Sequence, residues 1–192
     1  MEKAYKSLKL VLLVLCFVAV LLGARVLYDR LGSSVETDAL AQVPAETAMA
    51  EEEAQLAPDI LVFDEQGGEH RLSDYQGKPV ILNFWASWCG PCKSEMPAFQ
   101  EKYQLYGDQI QFLMVNLTDG SRETVDTALA FVEGAGYTFP VFYDTEMDAA
   151  LNYNVSGVPV TYFIDAQGAL VAWQQGAMSA DMLQRGIDML LN

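Results

Sequence analysis

The chain has 192 residues, of which 52% are hydrophobic, so it can bury one core of ordinary size and is not disordered throughout. Its formal net charge of −15 at pH 7 excludes a general affinity for nucleic acid, whose phosphates would repel it. The charge is uneven, because residues 1–28 carry +3 and the remainder carries −18, which indicates parts that lie in two compartments.

Residues 1–28 have the features of a membrane anchor. Three lysines precede an uncharged apolar run over residues 10–24, and residues 26–28 extend it to about 19 residues, close to the roughly 20 that span a bilayer. No small-x-small cleavage site follows the run, which disfavours a cleaved signal peptide. Leu15 before Cys16 disfavours a lipoprotein. We expect an uncleaved transmembrane helix with its N-terminus in the cytosol and the following chain outside it.

Residues 29–58 are predicted to be a tether. This segment is acidic, rich in Ala and Glu, and interrupted by Pro44 and Pro58. Its glutamates are typical of a solvated, self-repelling spacer rather than a binding site.

The folded domain is predicted over residues 59–192 and begins with strands. ILVF and HRL flank DEQGGE, which predicts a hairpin. A short turn at SDYQG leads into PVILNFWA, an apolar run typical of a buried strand. The stretch CGPCKSEMPAFQEKYQLYG then has helical spacing, and Pro97 should kink that helix because it lacks an amide hydrogen.

The second half of the domain continues this alternation. IQFLMVNL predicts a buried strand, and SRETVDTALAFVEGAG predicts a helix with Ser121 as its N-cap and glycine at its end. FPVFYD, PVTYFID and ALVAWQQ are predicted strands, with a turn at residues 167–168, and SADMLQRGIDMLL is a final helix capped by Ser179. The pattern predicts an α/β sandwich with a mixed central sheet and helices on both faces.

Cys89 and Cys92 form a C-x-x-C pair where a buried strand passes into a helix. Free amides and the dipole at a helix N-terminus stabilise a thiolate, so the pKa of Cys89 should fall below the free value of about 8.5. Cys92 lies within the first helical turn, close enough for a small disulfide ring. We interpret Cys89 as the exposed attacking thiol and Cys92 as the shielded resolving thiol.

A metal site is the main alternative for this pair. Zinc commonly takes four protein ligands in such sites, but the third cysteine, Cys16, lies in the apolar run and the single histidine is His70. We therefore expect no metal. Two inert core thiols are the other alternative, and Gly90 and Pro91 between them at a strand-to-helix junction argue against it.

These motifs carry a resemblance to a known family. WCGPC at residues 88–92, Pro97, and Val158-Pro159 before the strand VTYFID resemble the thioredoxin superfamily. The stretch LSDYQGKPVILNFWASWC and the long connection over residues 118–158 are similar to its membrane-anchored branch, that of TlpA and ResA. The resemblance covers about residues 57–192 and implies a thioredoxin-like sandwich after an N-terminal transmembrane helix.

The resemblance also implies roles for particular residues. Cys89 and Cys92 would form the redox-active disulfide, and Pro159 would be cis and face it. Val158 would pair its backbone with the client chain. The substrate-binding surface would comprise Trp88, Gly90, Pro91, Val158 and Pro159, whereas Trp85 is expected in the core.

Two positions concern the acid chemistry of the site. Thioredoxins place a buried aspartate six residues before the first cysteine, where this chain has Asn83, which does not titrate. Glu95 lies about 60° round the helix from Cys92, and ResA-like proteins carry an acidic residue there. We expect Glu95 to act as an acid/base and to tune thiol pKa values; the alternative is a solvated helix glutamate.

The expected activity is therefore reduction of protein disulfides outside the cytosol by dithiol exchange, without a cofactor. A transmembrane thiol-transfer protein would supply electrons, and apocytochrome c is a client implied by several relatives. A disulfide-forming oxidase, which shares the fold, is the alternative. A metal-delivery factor would need a wider cysteine spacing and a downstream histidine, and a peroxidase would need a threonine-containing loop before its cysteine.

Overall fold

The computed structural model describes residues 41–42 and 55–192. The predicted anchor, residues 1–28, and most of the predicted tether lie outside the described residues. Among the helices that the structure does describe, none combines the length and apolar character needed to cross a membrane.

Eight strands of the described residues form one sheet in the spatial order β1-β8-β7-β4-β5-β6-β2-β3. Strands β4, β5 and β6 are parallel to one another, and the other neighbouring pairs are antiparallel, so the predicted mixed sheet is confirmed. The strands are β1 (Ala41–Gln42), β2 (Leu61–Phe63), β3 (Glu69–Arg71), β4 (Val80–Trp85), β5 (Gln111–Asn116), β6 (Val141–Tyr143), β7 (Val160–Ile164) and β8 (Leu170–Gln175).

Four α-helices accompany this sheet in the described part of the chain. They are α1 (Gly90–Tyr106), α2 (Val125–Ala135), α3 (Asp148–Asn152) and α4 (Ala180–Leu191), and a 3₁₀ helix spans Leu72–Tyr75. The three longer helices were predicted from the sequence. The five-residue α3 was not, because one helical turn is too short to show a repeat of apolar positions.

The N-caps of α4 and α2 were both predicted as serines, and the structure confirms one of them. Ser179 caps α4 as predicted, and its hydroxyl accepts from the Met182 amide at 3.2 Å. The prediction of Ser121 as the cap of α2 is wrong, because that helix begins at Val125 and is capped by Thr124. The amide of Ser121 instead donates to Asp119 in the preceding turn, at 2.7 Å.

Strand β4 divides the core into two layers. Its six residues are all buried, and alternate side chains point to opposite faces of the sheet. Val80, Leu82 and Phe84 pack on the face that carries Ile60 and Val62 of the N-terminal hairpin region. Ile81 and Trp85 pack on the opposite face, and the residues that join them there include Met96 and Phe99 of α1 and Leu183 and Ile187 of α4.

Helix α4 packs at Gly186 directly against the ring of Phe163 on β7. A Cβ atom at Gly186 would lie 2.1 Å from a ring carbon of Phe163, so only glycine fits this contact. Met178, two residues before α4, contributes an amide to the site described below.

At the edge of the sheet formed by β8 and β1, strand pairing extends to residues that precede residue 59. Ala41–Gln42 pairs antiparallel with Ala172 and Trp173 of β8, and Leu56 forms a bridge with Ala169. Parts of the segment predicted as a tether are thus hydrogen-bonded to the sheet.

Candidate active site

The two cysteines form a disulfide where β4 passes into α1. Cys89 is the N-cap of the helix, and its Sγ accepts from the Cys92 amide at 3.1 Å. Cys92 is fully buried and Cys89 is 4% exposed, whereas Gly90 and Pro91 between them are exposed. Both cysteines are therefore buried in this oxidised form, so the exposure expected of Cys89 is not seen here.

A cis-proline loop lies against Cys89. The Val158-Pro159 peptide bond is cis, as the resemblance implied. The carbonyl oxygen of Val158 lies 3.6 Å from the Sγ of Cys89. Val158 is half-buried, and Pro159 is buried directly before β7.

Glu95 is a buried carboxyl group rather than a solvated helix residue. It is 3% exposed, and each of its oxygens accepts one hydrogen bond. Oε1 accepts from Nδ2 of Asn83 at 3.0 Å, and Oε2 accepts from the Met178 amide at 2.8 Å. Nδ2 of Asn83 also donates to the Thr161 hydroxyl at 2.9 Å, which ties the carboxyl to β4, β7 and the segment before α4.

Burial raises the pKa of Glu95 to about 7, because the loss of hydration outweighs the two hydrogen bonds, which lower it. Near neutral pH this carboxyl therefore exchanges its proton readily. Oδ1 of Asn83 is buried and has no hydrogen-bond partner among the described residues.

A second buried carboxyl, that of Glu123, was missed by the sequence reasoning. It is fully buried and accepts from the amide and the hydroxyl of Ser87, at 2.8 and 2.7 Å, and from Nδ2 of Asn116 at 2.7 Å. Ser87 lies two residues before Cys89, so Glu123 joins the loop after β5 to the segment that carries the active cysteine. No spacing in the sequence signals this link, because Ser87 and Glu123 are 36 residues apart.

Trp88 lies directly before Cys89 and is 42% exposed. The guanidinium carbon of Arg122 lies 3.7 Å from the centre of its ring, a cation–π contact. Trp85, in contrast, is fully buried, as expected.

Metal ligands are not gathered at this site. In residues 41–42 and 55–192, no group of three or more His, Cys, Asp or Glu side chains is arranged to hold a metal ion. His70 lies on β3 at the edge of the sheet, and its Nε2 is 3.1 Å from Oδ2 of Asp64.

Comparison with known families and sequences gives a consistent relationship. The family model described as the AhpC/TSA family matches residues 54–173. The thiol-disulfide oxidoreductase ResA of Geobacillus kaustophilus is 41% identical over 134 residues, which are 69% of this chain and 74% of that protein. The thioredoxin-like protein YneN of Bacillus subtilis is 34% identical over 138 residues, 72% of this chain and 80% of that protein.

Solved structures show the same fold. A thiol:disulfide interchange protein DsbE from Chlorobium tepidum superposes with a TM-score of 0.64 and 29% identity, covering 74% of this chain and 100% of that one. StoA from Bacillus subtilis superposes with a TM-score of 0.59 and 27% identity, covering 68% of this chain and 96% of that one. The predicted thioredoxin-like fold is confirmed, and so is the predicted relationship to ResA-like thiol-disulfide oxidoreductases.

The raised pKa of Glu95 predicts a pH-dependent effect of Glu95→Gln on stability. Because the folded-state pKa of about 7 exceeds the ordinary 4.5, the stability that the proton contributes is present below about pH 4.5 and is lost as the pH rises through about 7. The substitution removes this titration. The free energy of unfolding of the variant, relative to that of the original chain, should therefore rise by about 2–3 kcal/mol between about pH 5 and 8.

Denaturant unfolding of the oxidised chain at several pH values measures this difference, since disulfide-bonded cysteines do not titrate. Glu101→Gln is the matched control, because Glu101 is exposed on the same helix. The free energy of unfolding of this control, relative to that of the original chain, should not change over the same pH range. If the difference in free energy of unfolding between Glu95→Gln and the original chain stayed constant over this pH range, the raised pKa of Glu95 would be contradicted.

Proposed function

We propose that this chain, which belongs to the AhpC/TSA family and is a thiol-disulfide oxidoreductase acting on protein disulfides, reduces those disulfides outside the cytosol. The observation that carries the proposal is the Cys89–Cys92 disulfide at the N-terminus of α1, with the Val158 carbonyl 3.6 Å from one sulfur. It matches the activity named for the ResA relative, which resembles this chain over 69% of its length.

Cys89 is the proposed attacking thiol and Cys92 the resolving thiol. In the reduced protein, the Cys89 thiolate attacks one sulfur of a client disulfide, which forms a mixed disulfide and releases one client thiolate. The Cys92 thiolate then attacks Cys89, forms the intramolecular disulfide and releases the second client thiolate. Two electrons pass to the client, whose two sulfurs take up protons, and the protein is left in the oxidised form described above.

Glu95 is the proposed proton acceptor for the resolving step. Residues three apart on a helix are neighbours, with about 5–6 Å between their Cβ atoms, so the carboxyl lies one turn from Cys92. With a pKa of about 7 it can take the Cys92 proton as that thiol becomes a nucleophile. Asn83 and the Met178 amide hold the carboxyl in place by hydrogen bonds, and neither of these amide groups titrates.

The proposed client-binding surface surrounds the buried disulfide. Trp88, Gly90 and Pro91 are exposed on the side of the helix N-terminus, and Val158 and Pro159 lie on the side of the cis-proline loop. A client chain that brings its sulfur to Cys89 must cross this rim, where we expect the Val158 backbone to pair with it.

We further propose that residues 1–28 anchor the chain in a membrane and that the redox domain lies outside the cytosol. The basic N-terminus and the apolar run support this orientation. A reductase in that location needs electrons from across the membrane, so a transmembrane thiol-transfer protein is the proposed donor. Apocytochrome c is one proposed client, by analogy with relatives.

The assigned cysteine roles predict opposite behaviour for two variants. Cys89→Ala should abolish disulfide exchange, because the attacking sulfur is lost. Cys92→Ala should accumulate mixed disulfides with a client, because no sulfur remains to resolve them. Non-reducing electrophoresis and mass spectrometry detect the adducts, with Cys16→Ala as the control for loss of a cysteine outside the pair. Full turnover without adducts in Cys92→Ala would reverse the assignment.

The direction of electron flow predicts the reduction potential of the pair. A reductase should have a value near the roughly −270 mV of thioredoxin, measured by equilibrating the purified chain with thiol buffers of known potential. A value near the roughly −120 mV of a strong oxidant would instead establish the alternative, a disulfide-forming oxidase.

The orientation predicts where the C-terminus lies. A topology reporter fused after Asn192 should be active only outside the cytosol, because the lysines before the apolar run retain the N-terminus inside. Activity of a cytosolic reporter at the same position would contradict the proposed anchor.

A further inference from the structure

We propose that Arg122, held over the exposed ring of Trp88, makes the site prefer client disulfides that have an acidic side chain beside the attacked cysteine. This inference rests on the proposed function, since it concerns the client chain that Cys89 attacks. It assigns a specificity-determining contact to a residue outside the C-x-x-C and cis-proline segments.

Arg122 is placed within reach of a client. Its guanidinium carbon lies 3.7 Å from the centre of the Trp88 ring, and Trp88 is bonded directly to Cys89, with consecutive Cα atoms about 3.8 Å apart. Stacking on the ring orients the planar guanidinium and leaves the N–H groups at its edge free to donate. A carboxylate can accept two of these hydrogen bonds at once.

The loop that carries Arg122 is fixed from both sides. Oδ1 of Asp119 accepts from the amides of Ser121, Arg122 and Glu123, at 2.7, 2.8 and 3.0 Å. The buried carboxylate of Glu123 then binds the amide and the hydroxyl of Ser87, the residue before Trp88. The backbone of Arg122 is therefore hydrogen-bonded through Glu123 to the cysteine segment, and stacking on Trp88 orders its side chain, which lowers the entropic cost of using the guanidinium as a contact.

Arg122 is an exposed cation in an acidic domain. Residues 55–192 contain 18 acidic and 6 basic side chains, yet Lys93 and Arg122 both lie on segments next to the disulfide. The ion pairs His70–Asp64, Arg71–Asp59 and Lys102–Glu101 of the described residues do not involve Arg122. Its charge is therefore available to a carboxylate of another chain.

The stacking of Arg122 on the Trp88 ring favours an acidic client side chain over an aromatic one. Because Arg122 covers one face of Trp88, that face cannot stack with a client ring. The overall field of the protein has the opposite preference, since a net charge of −15 attracts basic clients. At about 0.15 M salt the screening length is about 8 Å, so remote acids are largely screened while a direct contact persists.

The test measures how fast the pre-reduced full chain reduces disulfide peptides at physiological salt. The peptides differ only in Glu, Gln or Lys next to either cysteine, and each rate is divided by the rate with dithiothreitol to remove intrinsic reactivity. The original chain should reduce the best Glu peptide about 3- to 10-fold faster than its Gln counterpart. Arg122→Gln should bring this ratio close to 1, and Arg122→Lys should retain part of it.

Arg71→Gln is the matched control, because it removes one positive charge on β3, away from the disulfide, and should leave the ratio unchanged. If Arg122→Gln slows all peptides equally, or if the ratio changes as much in Arg71→Gln, the inference is overturned. The salt dependence of the original chain gives a check that needs no variant: the Glu preference should decline toward 1 at about 1 M salt. Failure to reduce any peptide would overturn the proposed function, whereas equal reduction of Glu and Gln peptides would overturn this inference alone.

Discussion

The active-site half of the domain depends on burying one carboxyl group, that of Glu95, between the sheet and the helices. Desolvation of a carboxylate is costly unless hydrogen bonds compensate for it. Here the Met178 amide and Asn83 donate one bond each, and Asn83 is itself tied to Thr161. One side chain of α1 thus connects β4, β7 and the segment before α4. The compensation is incomplete, which is why the pKa is raised to about 7 and why the packing of this face also sets a proton affinity.

The two buried glutamates show how environment separates structural from chemical use. Glu123 accepts three hydrogen bonds, all from groups that hold the strand-to-helix junction, so its carboxylate serves as a fixed anchor for the segment that carries Cys89. Glu95 accepts two and lies one helical turn from Cys92. The first holds the cysteine segment by hydrogen bonds, and the second is the group proposed above to take the proton of Cys92.

Most of the fold could be predicted from the sequence because its central strands are continuous apolar runs and its turns contain glycine. The cap of α2 could not. Ser121 and Thr124 are both good caps by type, and the choice is decided by Asp119, which takes the amides of residues 121–123 before the helix can begin. Glu95 could be singled out by its spacing from Cys92, but not its partner Met178, which lies 83 residues away in sequence. Glu123 was missed for the same reason, since its contact with Ser87 exists only after folding.

Two electrostatic effects act on the cysteine pair with opposite sign, and their balance bears on the direction of electron flow. The free amides at the start of α1 stabilise a thiolate, which favours the dithiol form and makes the disulfide a stronger oxidant. An ionised Glu95 repels a thiolate on Cys92, which favours the disulfide and makes the dithiol a stronger reductant. Because the pKa of Glu95 lies near 7, the second effect strengthens as the pH rises through neutrality. Asn83 stands where thioredoxins have a buried aspartate, and it does not titrate. Glu95 is therefore the only titrating group of the Asn83–Glu95 contact. The burial of Glu95, which raises its pKa, thus decides the pH range over which the second effect acts.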